Sequence, residues 1–127
     1  MPYLIVFLGA GIGGALRHGV NVGAAKLFGL GFPFGTLIVN VAGSFAIGLL
    51  AGYFAFRAGV PQDIRLFLTT GILGGFTTFS AFSLDAALLI ERHAYALAAA
   101  YVLGTVAAGL VALFLGLALF RTAGHLP

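Results

Sequence analysis

The chain contains no cysteine. That excludes disulfides, thiolate metal sites and a cysteine nucleophile, and leaves the compartment unreadable from redox chemistry. Charge is almost as scarce: 7% of the 127 residues are charged, where soluble domains carry about 25%. With 61% of its residues hydrophobic, such a chain cannot cover itself against water. The fold class that follows is an all-α membrane protein. Its few basic residues are scattered and form no patch or tail, so the net charge of +3 gives nucleic acid no support as a partner, and nothing implies a protein partner of another kind. The start, "MPYLIVFLGAGIGGALRHG", has no basic stretch ahead of its apolar run and no small-x-small cleavage site. It is expected to remain as a span and not to leave as a signal peptide.

What is present divides into four apolar spans, about 3–25, 34–56, 64–90 and 95–120, forming a single domain over 1–127. Each has the roughly 20 residues that a bilayer crossing needs. The breaks "FGLGFPFG", "RAGVPQD" and "ERHA" are short and carry turn residues or charge, so successive helices are antiparallel neighbours. One membrane face then holds Arg57, Arg65 and Arg121, and the other Lys26 and Arg92, with Arg17 deeper toward it. Orientation follows Lys/Arg asymmetry in short loops, and here the difference is at most one. Either other features decide, or the chain inserts both ways up, which would permit antiparallel homodimers.

Small residues recur every fourth position: Ser44, Gly48 and Gly52 in the second span, and Gly104, Ala108, Ala112 and Gly116 in the fourth. Such stripes let helix backbones approach in lipid, within one subunit or between two.

Polar groups inside the spans are few and each needs a reason. Asn40 shares a stripe with Thr36 and Ser44; its amide is either interhelical glue or a donor to something passing through. Tyr101 and Thr105 repeat the pattern in the fourth span, with Gly109 next. Arg17 lies about 20 Å along the first span at about 1.5 Å per residue, where it can snorkel to water or concentrate anions at a pore mouth. Asp85 and Glu91 are expected at the interface. His18, His93 and His125 are dispersed and lack metal-ligand spacing.

The third span is too long and too poor in helix formers to be simple. As a straight helix it would reach about 40 Å, against a hydrocarbon core of about 30 Å. Gly71, Gly74 and Gly75 weaken its middle, and Thr77, Thr78 and Ser80 can take up freed backbone groups. A break near Gly74 to Thr78 is expected; an intact helix at a glycine-rich crossing is the alternative. Unwound backbone at membrane depth lines a polar site or is buried by protein. Freed carbonyls suit a cation, and a new helix N-terminus suits an anion. Phe76, Phe79 and Phe82 fall three apart beside these hydroxyls. They are either lipid-facing or turn their positive ring edges toward an anion.

The segments "GGALRHG", "GTLIVNVAGSFAIG" and "TTGILGGFTTFSAFS" resemble the fluoride channel family known as Fluc or CrcB, across all four spans in order. The resemblance implies a third helix broken near its middle and an antiparallel, dual-topology homodimer with two pores. It implies passive export of fluoride across the bacterial inner membrane, relieving fluoride toxicity. It also implies a structural sodium ion on the two-fold axis, held by the carbonyls of Gly74 and Thr77 from both subunits.

On the same basis Phe79 and Phe82 would turn ring edges to fluoride, and Asn40 would help coordinate it. Thr78 and Ser80 would supply hydroxyls, Tyr101 and Thr105 a polar track, and Arg17 a charge at the vestibule. Gly109 departs from the family pattern, standing where serine is frequent, and His18 where an aromatic is usual; neither is given a role.

Two other function classes compete. A proton-coupled multidrug exporter with four short spans needs an acidic residue in its first span, and none stands there. A non-transporting scaffold would use the glycine stripes but has no need of the hydroxyl and phenylalanine cluster. An enzyme is not expected, since no nucleophile–base pair or metal cluster is visible.

Overall fold

The computed structural model describes residues 1–57 and 59–124. The side chain of Arg121, counted above in the charge balance, and His125 lie outside the described residues. The elements of the described residues are all helical, in the order α1 (Pro2–Phe28), α2 (Phe34–Phe56), α3 (Gln62–Leu66), a π-helical segment (Phe67–Leu73), α4 (Gly74–Phe76), α5 (Phe79–Glu91) and α6 (Tyr95–Gly124). Four stretches are long and apolar enough to cross a membrane: Pro2–Phe28, Phe34–Ala55, Gln62–Glu91 and Tyr95–Phe120. The first extends past the expected Ala25 because its final carbonyls find a cap: Gly29 N–H donates to Ala25 O at 2.9 Å. Gly29 adopts φ 78°, a conformation that glycine takes without penalty.

Two close crossings hold the bundle. α1 packs along the third span, where a Cβ on Gly9 would lie 2.8 Å from the Cα of Gly71 and from the Phe67 carbonyl oxygen. α2 packs along α6, where a Cβ on Gly116 would lie 2.5 Å from Phe45 O. Backbones in direct contact gain dispersion that lipid tails would otherwise share, the usual basis of association in a bilayer. Gly48, Gly52 and Gly116 are therefore used within the subunit. Gly104, on the same stripe, faces open space.

The third span departs from a plain helix twice. Over Phe67–Leu73 the turns widen to π geometry. Here the Thr69 hydroxyl donates to the Arg65 carbonyl at 2.5 Å, a side-chain bond that competes with the regular ladder and bends helices. Then, after one turn over Gly74–Phe76, Thr77 (φ −84°, ψ 159°) and Thr78 (φ −154°, ψ 126°) are both extended. The break expected between Gly74 and Thr78 thus falls at its C-terminal end, on the two threonines. Thr78 restarts the chain as N-cap of α5, its side chain accepting from Ala81 N–H at 3.1 Å.

Past α5 the turn into α6 is a Schellman closure, with His93 N–H on Ile90 O and Ala94 N–H on Leu89 O, both at 2.9 Å. His93 occupies the left-handed position at φ 60°. Beneath it lies a small core of Leu89, Ala98 and Tyr101, packed by Phe32, Leu37 and Phe82.

Candidate functional site

The site is built where α2 passes the break. Extended backbone at Thr77 and Thr78 leaves N–H and C=O groups without helical partners, and at membrane depth each must find one. Asn40 provides for Thr78 in both senses. Its Nδ2 donates to Thr78 O at 3.0 Å, and its Oδ1 accepts from Thr78 N–H at 2.8 Å. The side-chain amide thus behaves like one rung of a sheet ladder laid against the unwound strand. An asparagine amide has two N–H donors, so Asn40 keeps one for another acceptor.

That pair of bonds has a second effect. In an unbroken helix Thr78 N–H would donate to Gly74 O, and Ala81 N–H to Thr77 O. Here the first goes to Asn40 and the second to the Thr78 hydroxyl. The carbonyls of Gly74 and Thr77 both lose their helical donors. Hard oxygen acceptors without donors are the kind of ligand an alkali cation accepts, and they fit the pair assigned to sodium by resemblance.

A groove of about 310 Å³ opens beside the break, lined among others by Asn40, Ser44, Thr78, Phe79, Phe82 and Thr105. Its floor is uncharged. Thr105 is buried to 6% exposure, and its hydroxyl oxygen has no partner. Phe79 and Phe82 sit with ring centroids 5.9 Å apart, and Phe79 stands 79% exposed on the outer rim. Ser80 is exposed next to it, its Oγ 3.4 Å from Thr78 Oγ1. Asn40, Thr78, Phe79, Phe82 and Thr105, separated in sequence, therefore share one surface.

Tyr101 and Arg17 do not line this groove. Tyr101 is fully buried behind Phe82, ring centroids 5.1 Å apart, and Phe32 meets its other side edge-on at 5.5 Å. Its hydroxyl donates to Asp85 Oδ2 at 3.1 Å. Asp85, expected at the interface, is half-buried with a partner on α6. Position along a helix showed only its depth, whereas the partner lies on another element. Asp85 also borders a second, larger cavity of about 660 Å³ with Asn21, Thr36 and the 29–33 connection. Arg17 is half-buried. Gly109 lies behind Ser44, where an added Cβ would rest 3.5 Å from Ser44 Oγ. Ser44 itself, read only as a packing residue, lines the groove.

Among the described residues no cluster of His, Asp and Glu could hold a metal through side chains. Any cation here would rely on backbone oxygen.

Residues 4–117 match the family described as "CrcB-like protein, Camphor Resistance (CrcB)". The chain is 65% identical over 121 residues to a protein of Methylobacterium nodulans, covering 95% of this chain and 97% of the relative. It is 60% identical to one of Rhodopseudomonas palustris over 95% of this chain and 98% of the relative. A third, from Granulibacter bethesdensis, is 58% identical over 96% of each. All three bear the name "Fluoride-specific ion channel FluC". With these matches and four spans able to cross a bilayer, the chain is a multi-pass membrane protein and belongs to the CrcB family.

Proposed function

We propose that the chain is a fluoride-selective channel that lets fluoride leave passively across the bacterial inner membrane and so reduces fluoride toxicity. One observation carries the reading: uncharged donors and aromatic rings from α2, α5 and α6 converge on one groove beside a helix break. The names of the relatives agree with it.

Fluoride holds its water strongly, so a pore must replace that water while binding loosely enough to release the ion. Asn40 offers its remaining N–H, Thr78, Ser80 and Thr105 their hydroxyls, and Phe79 and Phe82 their ring edges. The start of α5 adds the positive end of a helix dipole. None of these is a full charge, and release is correspondingly easy. Tyr101 supports the track from behind Phe82, and Arg17 raises the local anion concentration at the mouth. The narrowness of the path excludes chloride. The relatives are named as channels, and in this reading the chain is a channel, not a pump or an enzyme.

The working unit in this reading is an antiparallel, dual-topology homodimer with two pores, each subunit being one four-helix domain. Support comes from the near-equal arginine and lysine counts on the two faces. It comes also from the groove, which is open on one side of the subunit and lined by the polar Asn40, Ser44 and Thr78. Such a surface does not persist against lipid, and an inverted second copy would close it. The carbonyls of Gly74 and Thr77, freed of their helical donors, would hold a sodium ion where the two breaks meet. When bound, that ion would supply positive charge that fixes the unwound segments.

Passive efflux from liposomes loaded with fluoride or chloride tests the proposal. Fluoride should leave rapidly and chloride should be retained; equal rates for the two ions would refute selectivity, and no efflux of either would refute the channel.

A further inference from the structure

At the opposite end of the subunit from the 29–33 connection, residues at the end of α2 and the start of the third span frame a third concavity, of about 640 Å³. Its wall is apolar, with Leu50, Phe54, Ile64 and Leu68, and Arg57 stands on its rim. Two guanidinium groups stack on aromatic rings that line it, Arg57 from the lining itself and Arg65 from beside it. Arg57 Cζ lies 5.9 Å from the Tyr53 ring centroid, and Arg65 Cζ lies 5.2 Å from that of Phe54. Such stacking orients a planar guanidinium with its N–H edges free to bind. Arg65 Nε is buried and has no hydrogen-bond partner.

We propose that this groove is a binding site for an anionic phospholipid, with Arg57 and Arg65 on the phosphate and one acyl chain along Leu50, Ile64 and Leu68. The geometry matches the ligand at both ends. Guanidinium forks pair with phosphate oxygens in a bidentate manner. The connection lies at the membrane surface, since α2 ends and the third span begins there. The other face of the subunit lacks this arrangement: Lys26 is exposed on the last turn of α1, and Arg92 donates to Gly31 O at 3.0 Å. The apolar wall separates a lipid from a free anion, which would have no use for it. The site depends on membrane insertion alone and stands or falls independently of fluoride conduction.

Native mass spectrometry of the purified full chain in non-ionic detergent tests the assignment, titrating phosphatidylglycerol against phosphatidylcholine of the same chain length. Two arginines at the membrane surface, one exposed and one half-buried, should favour the anionic lipid by roughly 30-fold in retained adduct, about fivefold each. Arg57→Gln, an exposed position, should lower the preference by about fivefold, and the Arg57→Gln/Arg65→Gln pair should abolish it. Lys26→Gln should leave it unchanged, and inorganic phosphate should not displace the lipid. Equal retention of the two lipids, an equal loss with Lys26→Gln, or displacement by inorganic phosphate alone would each overturn the proposal. If the double variant does not fold, Arg57→Gln retaining the full preference would do so.

Discussion

Asn40 and Thr78 are joined by two hydrogen bonds of opposite sense, at 3.0 and 2.8 Å, across 38 residues of chain. A side chain on an intact helix thereby completes the backbone of a broken one. The same amide retains one N–H, and Asn40 lines the groove, so structure and proposed ion contact share a residue.

Asn40→Ala should expose this double duty. Both polar groups of Thr78 would lose their partner, each at about 1–3 kcal/mol. The melting temperature in detergent should fall by several degrees, and fluoride efflux should cease. Asn40→Asp should be no better, because a carboxylate cannot donate to Thr78 O. Wild-type stability in either variant would mean that the amide does not hold the break.

Thr105→Val separates the ion path from packing. The Thr105 hydroxyl is buried without a partner, so removing it should leave stability unchanged or raise it by about 1 kcal/mol. Fluoride efflux should nevertheless slow. A variant as fast as the parent would take this hydroxyl out of the pathway.

Phe82→Ile removes a ring edge while still filling space against Tyr101, 5.1 Å away between ring centroids. Efflux should slow by about tenfold or more, equivalent to about 1.4 kcal/mol of barrier, with the parent's elution volume kept in size-exclusion chromatography. Unchanged efflux from a variant that elutes like the parent would make Phe82 a packing residue.

These expectations show which parts of the site could be read from sequence. Hydropathy marked the spans, and glycine with threonine at the middle of the third marked the break, because both signals are local. The widened turns over Phe67–Leu73 were not visible. They accompany a Thr69 side-chain bond and a glycine of α1 lying against Gly71, and no single-span pattern records that pairing. The partner of Asp85 escaped for a related reason: Tyr101, which donates to it, stands on another helix. The amide of Asn40 was legible as polar and deep, but its partner was not.

His93→Gly tests the α5–α6 turn away from the groove. A left-handed conformation penalises a β-carbon by about 1–2 kcal/mol, which glycine avoids. The bond between His93 Nδ1 and the Tyr95 hydroxyl, 3.0 Å and exposed, is lost but offsets little of this. The melting temperature should rise with efflux unchanged. A lower melting temperature would assign the histidine a structural role in the turn.

Orientation offers the sharpest test of the assembly. With the Lys/Arg counts of the two faces differing by at most one, a few added charges should decide which way the chain inserts. Leu27→Arg with Leu30→Arg, both at exposed positions, should place that face in the cytoplasm. Gly59→Arg with Gln62→Arg should place the opposite face there. A C-terminal reporter should then show one orientation for each variant, and both for the parent. Each locked population alone should conduct no fluoride, and co-expression of the two should restore efflux, since only then can an inverted partner cover the groove at Asn40 and Thr105. Efflux from either locked population alone would mean that one copy, or a parallel pair, is sufficient.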